Sequence, residues 1–590
     1  MKKLLWLFLV FSISWPVYSD GAVGSAAVDT WYVRPSTECS NNGDGLSYAC
    51  AASAGAAGAF NSLTSVIWTA TDGVDDGDTL CISGTHRQTM SGIGGVGTTS
   101  APITVKLDCA GIPAGVISGA DIVTAWDTLD GNGNQVTSGT FSEPMFLLVD
   151  GIAAHHGSSV GSLAPGEWYY ISGSTKVAYH GSVAGHTMEI PTRSSAIFAS
   201  GGVENMIVTG GRFEAILSSP ATGTFMFRGC ANILITNVTV YAVATGVDFQ
   251  GTCKNVSVTN STFTYCADCL DTNINAANKP SNVTFQNNSV SGLYANADGT
   301  NWIGNYDAII GGGRIYDHEC IASTSAGNYI TSAYNDISHC RTGIFNLPNT
   351  DVVGYLAIGN YIHDIYDDAI EFTCASGCAI SGSAISGNLI YNGGQEASGL
   401  SSNAINAGGS TVAGASIDIT QNTIAKWANG IFMTGGGLTH NNGKIVNNII
   451  ADLFCAGCFG DYLNTDTWAE QSTSVINNNI YYRTSGIYKI PRWDTNGFAA
   501  TSTFSTHQSN LSPNESASLN ADPLFINSTT DFRTAASSPS RRAGTGGYVC
   551  SERRGRACYS DRPDIGAYQA TSGDPASTRS AASTRSAAIE

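Results

Sequence analysis

Short runs in which apolar residues take every second position recur along most of the chain, and Asn-x-Ile punctuates them. The word begins at Asn335, Asn360, Asn388, Asn422, Asn448 and Asn478, at spacings of 25, 28, 34, 26 and 30 residues. Alternation at period two predicts strands. A repeat of this length without helical periodicity predicts a solenoid, each coil laying its strands on the coil below. The apolar side of such a coil is buried only by its neighbours. Asparagine is expected at the corner itself, where it tolerates a left-handed backbone and can bond its own main chain.

A second pattern precedes the main strand of each coil: polar, small, aliphatic, variable. It reads Thr245-Gly246-Val247-Asp248, Asp268-Cys269-Leu270-Asp271, Asp307-Ala308-Ile309-Ile310 and Thr342-Gly343-Ile344-Phe345. It continues as Asp368-Ala369-Ile370-Glu371, Asn403-Ala404-Ile405-Asn406 and Asn429-Gly430-Ile431-Phe432. With the aliphatic residue turned inward, its neighbours turn outward. Two acidic columns result: a corner column with Asp268, Asp307 and Asp368, and an outer column with Asp248, Asp271 and Glu371.

Coils stack about 4.8 Å apart, which sets Asp307 and Asp368 roughly 10 Å apart before the side chains tilt. Paired carboxyl groups cleave glycosides at about 5–5.5 Å for retention or about 6.5–9.5 Å for inversion. Both windows are within reach, so Asp368, Glu371 and Asp307 are the candidate catalytic groups. Asp268, Asp271, His339, Arg341, His363, Glu396 and Phe345 are the candidate substrate contacts. Trp302, Tyr366, Trp427 and Phe432 offer further rings for stacking on sugars. Plainer readings use the same residues: a solvated turn with one exposed glutamate, an Arg341–Asp367 surface ion pair, or a calcium site built from the carboxylate oxygens.

Composition narrows the partners. The net charge is −19 with only 12% charged residues. Such a chain has little to neutralise phosphates, which excludes nucleic acid. It disfavours polyanionic glycans too, unless calcium bridges them. Lys2 and Lys3, the apolar run Leu4 to Ile13 and Val17-Tyr18-Ser19 predict an export signal over residues 1–19. No later run is long enough to span a membrane. A secreted or periplasmic monomer is expected.

Sixteen cysteines in an exported chain predict disulfides. Consecutive pairing gives Cys39/Cys50, Cys81/Cys109, Cys230/Cys253, Cys266/Cys269, Cys320/Cys340, Cys374/Cys378, Cys455/Cys458 and Cys550/Cys558. Zinc held between the pairs Cys266/Cys269 and Cys455/Cys458 is the alternative. They lie 186 residues apart without histidines at ligand spacing, so no metal ligand is assigned.

Several segments carry a resemblance. Asp76-Gly77-Asp78-Thr79 and Gly84-Thr85-His86-Arg87 resemble the opening turn and strand of secreted bacterial β-helix proteins of the pectate-lyase-like superfamily. Gly166-Glu167-Trp168-Tyr169-Tyr170 is similar to the hairpin that β-helix glycoside hydrolases insert before their main coils, and Gly202-Val203-Glu204-Asn205-Met206-Ile207-Val208 resumes the solenoid as they do. Asp522-Pro523-Leu524-Phe525, Asp531-Phe532-Arg533 and Pro563-Asp564-Ile565-Gly566-Ala567-Tyr568 resemble their C-terminal coil and cap. The stacked asparagines resemble the asparagine ladder of right-handed parallel β-helices.

The resemblance implies an all-β, right-handed parallel β-helix. Its parts are an export signal (1–19), an N-terminal cap and first coils (20–139), a hairpin insertion (140–199), the main helix (200–485), a loop-rich C-terminal coil and cap (486–570) and a disordered tail (571–590). Three functions remain open. The first is a glycoside hydrolase acting on an extracellular polysaccharide or oligosaccharide, with no cofactor. The second is a calcium-dependent lyase or epimerase acting on uronates. Tyr316-Asp317-His318-Glu319 faintly resembles the Asp-Pro-His-Asp motif of mannuronan epimerases, without its proline. The third is a non-catalytic glycan-binding or adhesive solenoid, because a fold alone does not argue function.

Overall fold

The computed structural model describes residues 28–68, 73–94, 97–129, 133–217, 223–272, 279–293, 318–324, 327–348, 350–373, 378, 380–394, 402–408, 417–433, 443–453, 463–465, 475–482, 504–505, 508, 516–527, 531–545 and 564–567. Within them the chain is a parallel β-helix. A 13-stranded parallel sheet, face A, runs from Thr30–Val33 to Val475–Asn477. Two further faces, B and C, follow it in the coils described from Glu204–Thr209 to Leu463–Thr465 and join along their shared edge. The long strand Thr239–Gln250 shows how: its first half pairs with Arg212–Ile216 on face B and its second half with Phe225–Arg228 on face C. Inward Ile, Val, Leu and Phe side chains fill the tube, many of them with no exposed surface.

The asparagines pin the A-to-B corner. Asn288, Asn335, Asn360, Asn388, Asn422, Asn448 and Asn479 stack one above another, none more than 2% exposed. In Asn388, Nδ2 donates to Asn422 Oδ1 at 2.9 Å and to the Ala357 carbonyl at 2.9 Å. Its Oδ1 accepts from the backbone N–H and the Nδ2 of Asn360, at 2.9 and 3.0 Å. A buried amide is thereby satisfied at both ends, which is what makes its burial tolerable. Serines end the column: Ser261 N–H donates to Asn288, and Asn479 N–H donates to Ser518 Oγ.

Two details differ from the sequence expectation. The ladder starts one coil earlier, at Asn288, and its last described asparagine is Asn479 rather than Asn478. Ile449 pairs with Ile480, so Asn479 is the register partner of Asn448. The left-handed residue is also not the ladder asparagine but the one before it: Asn287, Tyr334, Gly359, Gly387, Gln421, Asn447 and Asn478 all have φ between 56° and 68°. The turn residue sets the bend, and the following asparagine bonds the coils together.

A second asparagine column marks the entry to face A. Asn205, Asn232, Asn255 and Asn282 are left-handed; the Nδ2 of each of the last three donates to the Oδ1 of the preceding asparagine at 2.7–3.1 Å, and that of Asn205 donates to the Gly97 carbonyl. Before the main coils an antiparallel insertion interrupts the tube. Trp168–Ile171 and Lys176–His180 form a hairpin, extended by Asn134–Thr137 and Trp126–Thr128. An Arg87–Glu189 ion pair ties the first coils to it.

Disulfides close Cys39–Cys50, Cys81–Cys109, Cys230–Cys253, Cys266–Cys269 and Cys320–Cys340. Cys266 and Cys269 are therefore a disulfide and not half of a zinc site. Cys374, Cys455, Cys458, Cys550 and Cys558 lie outside the described residues, as do the export signal and the tail. No described helix is long and apolar enough to cross a membrane.

The register separates two neighbouring substitutions. Asn479→Ala strips acceptors and donors from Asn448 and the Ile445 carbonyl, at about 1–3 kcal/mol for each group left unsatisfied. Scanning calorimetry should show a clearly lower unfolding midpoint. Asn478→Gly keeps the left-handed turn and should shift the midpoint far less.

Candidate active site on face C

Register places the candidate carboxylates on adjacent columns of face C. The outward column runs Met226, Asp248, Asp271, Ala322, Phe345, Glu371, Asn406, Phe432. Two residues before the inward aliphatic residue, the corner side brings Thr245, Asp268, Glu319, Thr342, Asp368, Asn403 and Asn429 together. The small second position has a steric cause. A Cβ at Gly246 would stand 2.2 Å from the Cys269 carbonyl oxygen, and one at Gly343 would stand 2.5 Å from that of Ala369.

The rung between Asp271 and Phe345 differs from the sequence reading. Glu319-Cys320-Ile321-Ala322 fills it, with Ile321 paired to both Leu270 and Ile344. Asp307 lies outside the described residues. Glu319 fits the same polar-small-aliphatic pattern, and the expected Cys320/Cys340 disulfide already put its neighbour beside the next coil. That was the missed signal. Glu396 and Trp302 also lie outside the described residues.

Asp368 and Glu371 share a rung, with Ile370 between them turned into the core. Asp368 is 5% exposed. Its two oxygens accept from the backbone N–H of Asn403 and, at 2.9 Å, from Asn406 Nδ2. Asp268 caps the coil after it in the same manner, accepting from Glu319 N–H at 3.3 Å. The corner acids therefore hold the corner together. Burial, then the charges of Asp367 and Glu371, push the Asp368 carboxyl well above the usual range.

Glu371 is half-buried and outward, its Oε1 accepting from Thr373 Oγ1 at 3.0 Å. Burial raises its carboxyl to about 7; Asp367 adds to that, while Thr373 and Arg341 oppose it. Asp367 stands beside it in an ion pair with Arg341 at 3.0 Å, both side chains only 13–14% exposed. Behind Arg341, His318 is buried and pushed down to about 3 by burial and by that guanidinium. It is held neutral near pH 7.

The remaining candidates divide. Asp271 is buried, its carboxyl raised well above normal by burial and by Asp248 and Asp268. Phe345 is half-buried on the outward column between Ala322 and Glu371, whereas Trp427 is fully buried core. His339 and His363 stand on or beside face B rather than in the acidic columns. His363 is clamped between Asp336 and Asp364 at 3.0 and 2.7 Å, which raises it to about 9 against the cost of burial. Among the described residues no three His, Cys, Asp or Glu side chains converge as a metal-binding group.

No family model and no curated protein matches this sequence. Among solved structures, XylC in complex with xylose superposes with a TM-score of 0.52 at 12% identity, over 79% of this chain and 86% of that one. A glycoside hydrolase gives 0.48 at 11% identity, over 70% and 96%. The pectate lyase Pel9A gives 0.38 at 13% identity, over 92% and 98%. At these identities the first likeness shows the shared β-helix fold.

The site's electrostatics predict a direction for stability. A carboxyl raised on folding binds its proton more tightly in the native state, so stability falls as pH rises from about 4.5 toward 7. Glu371→Gln should flatten that slope in thermal unfolding between pH 5 and 8. Carbon-13 carboxyl shifts should titrate near 7 in the parent and higher in Arg341→Met, which removes an opposing positive charge.

Proposed function

We propose that this chain is a secreted glycoside hydrolase acting on neutral polysaccharides or oligosaccharides laid along face C. The observation that most supports it is a half-buried, outward glutamic acid poised near neutrality on a rigid rung, beside a carboxylate paired with arginine. Glu371 is the general acid: it protonates the glycosidic oxygen as the bond to the anomeric carbon breaks. Asp367 is the opposing carboxylate, which takes a proton from the attacking water in an inverting course or bonds the anomeric carbon in a retaining one.

Asp368 is a positioning residue. Its bonds to Asn403 and Asn406 fix the rung that carries Asp367 and Glu371. Phe345 stacks on the sugar one rung before Glu371. Asp268, Asp271 and Glu319 continue the acidic wall, and His339 and His363 are left to the structure of face B. Asp307 and Glu396 are given no role. The reading uses no metal. A net charge of −19 favours uncharged substrates over uronates, and the Arg341 guanidinium that a lyase would need is already engaged by Asp367.

Products from a panel of neutral and uronate-containing glycans test the assignment. Hydrolysis should add one water to the products and generate no absorbing double bond. Glu371→Gln and Asp367→Asn should each lower kcat by about 10²–10⁴ with KM little changed. The alkaline limb of kcat/KM should fall near pH 7. Unsaturated products, or a folded Glu371→Gln protein with full activity, would overturn the proposal.

A further inference from the structure

Face A carries none of the acidic columns, yet it holds a cavity of about 580 Å³. Its floor is one outward column, Ile207, Leu234, Ser257, Thr284 and Thr331, in continuous register from coil to coil. Four steps at the coil spacing make a trough roughly 19 Å long. The Asn205–Asn282 column forms its rim, and every acidic or basic side chain is absent from its described lining. Each rim amide uses one of its two N–H bonds on the rung below.

Tyr329 closes the trough and breaks the rule of its column. From Asn205 to Gly382 the other described rungs carry Asn205, Asn232, Asn255, Asn282, Gly354 and Gly382, residue types that accept a left-handed backbone. Tyr329 sits there at φ 64°, a conformation that is strained for a bulky residue. Burial does not offset that strain, because the residue is 56% exposed. The next rung makes room for the ring: a Cβ at Gly354 would lie 2.7 Å from Tyr329 Cδ1. A strained aromatic, displayed to solvent over a glycine, points to something it meets there.

We propose that this trough is a second carbohydrate site, holding one neutral glycan strand along face A with a sugar ring stacked on Tyr329. The uncharged lining in a strongly acidic chain disfavours polyanions and offers no anchor to cations. Rim amides suit sugar hydroxyls, and Ile207 and Leu234 suit the C–H faces of pyranose rings. The site does not depend on the chemistry assigned to face C.

Calorimetric titration with cellohexaose and xylohexaose, in the full chain carrying Glu371→Gln to prevent cleavage, tests it. Tyr329→Gly should weaken binding of at least one hexaose about tenfold, from loss of stacking. Its unfolding midpoint should be unchanged or higher, because the backbone strain is relieved. Ser257→Arg, which fills the trough floor, should weaken binding as much, while Phe345→Ala on face C leaves the Tyr329-dependent binding intact. Binding indifferent to both Tyr329→Gly and Ser257→Arg, or no binding of either hexaose, would overturn the proposal. Hydrolysis by the parent protein is measured separately, so failure on one face is not mistaken for failure on the other.

Discussion

The buried amide-to-amide hydrogen bond at the A-to-B corner is the constraint on which the rest of this structure depends. Each ladder asparagine fixes the coil before it and the coil after it in one geometry, because its carbonyl oxygen and amide nitrogen each have assigned partners. A slip of one residue would bury an unsatisfied amide and turn every strand inside out. Corner geometry therefore holds constant while coil length varies from 25 to 47 residues between successive asparagines.

That constancy decides where variation goes. The A-to-B corner has no room for an insertion, so extra residues enter between faces B and C or between C and A. The 47-residue step from Asn288 to Asn335 contains such an insertion, ahead of Glu319. Face C is flanked by both variable connections. A solenoid thus keeps a rigid, ordered rung beside its most changeable loops, which is a useful place for chemistry.

Stacking in register also compresses charge. Asp248 pairs with Asp271 one rung on, and Asp367, Asp368 and Glu371 share a turn and a strand. Each carboxyl removed from water and set near another is harder to ionise. This weakens the fold near neutrality, and burial raises the Glu371 carboxyl to about 7.

The period, the parallel all-β helix, the inward aliphatic residues and the neighbourhood of Asp368 and Glu371 were legible in the sequence, because strand alternation and corner chemistry are local. The register was not. Choosing Asn479 over Asn478 required the pairing of Ile449 with Ile480, and choosing Glu319 over Asp307 required that of Leu270 with Ile321. Two short patterns fitted equally well, and only contacts between distant coils separated them. The same holds for Trp427, an apparent sugar platform that packing buries, and for Tyr329, whose strain becomes visible only beside the asparagines and glycines stacked with it. Local composition sets what each coil is able to do; stacking sets which residues stand together, since proximity across coils arises from hydrogen-bond register and not from order along the chain.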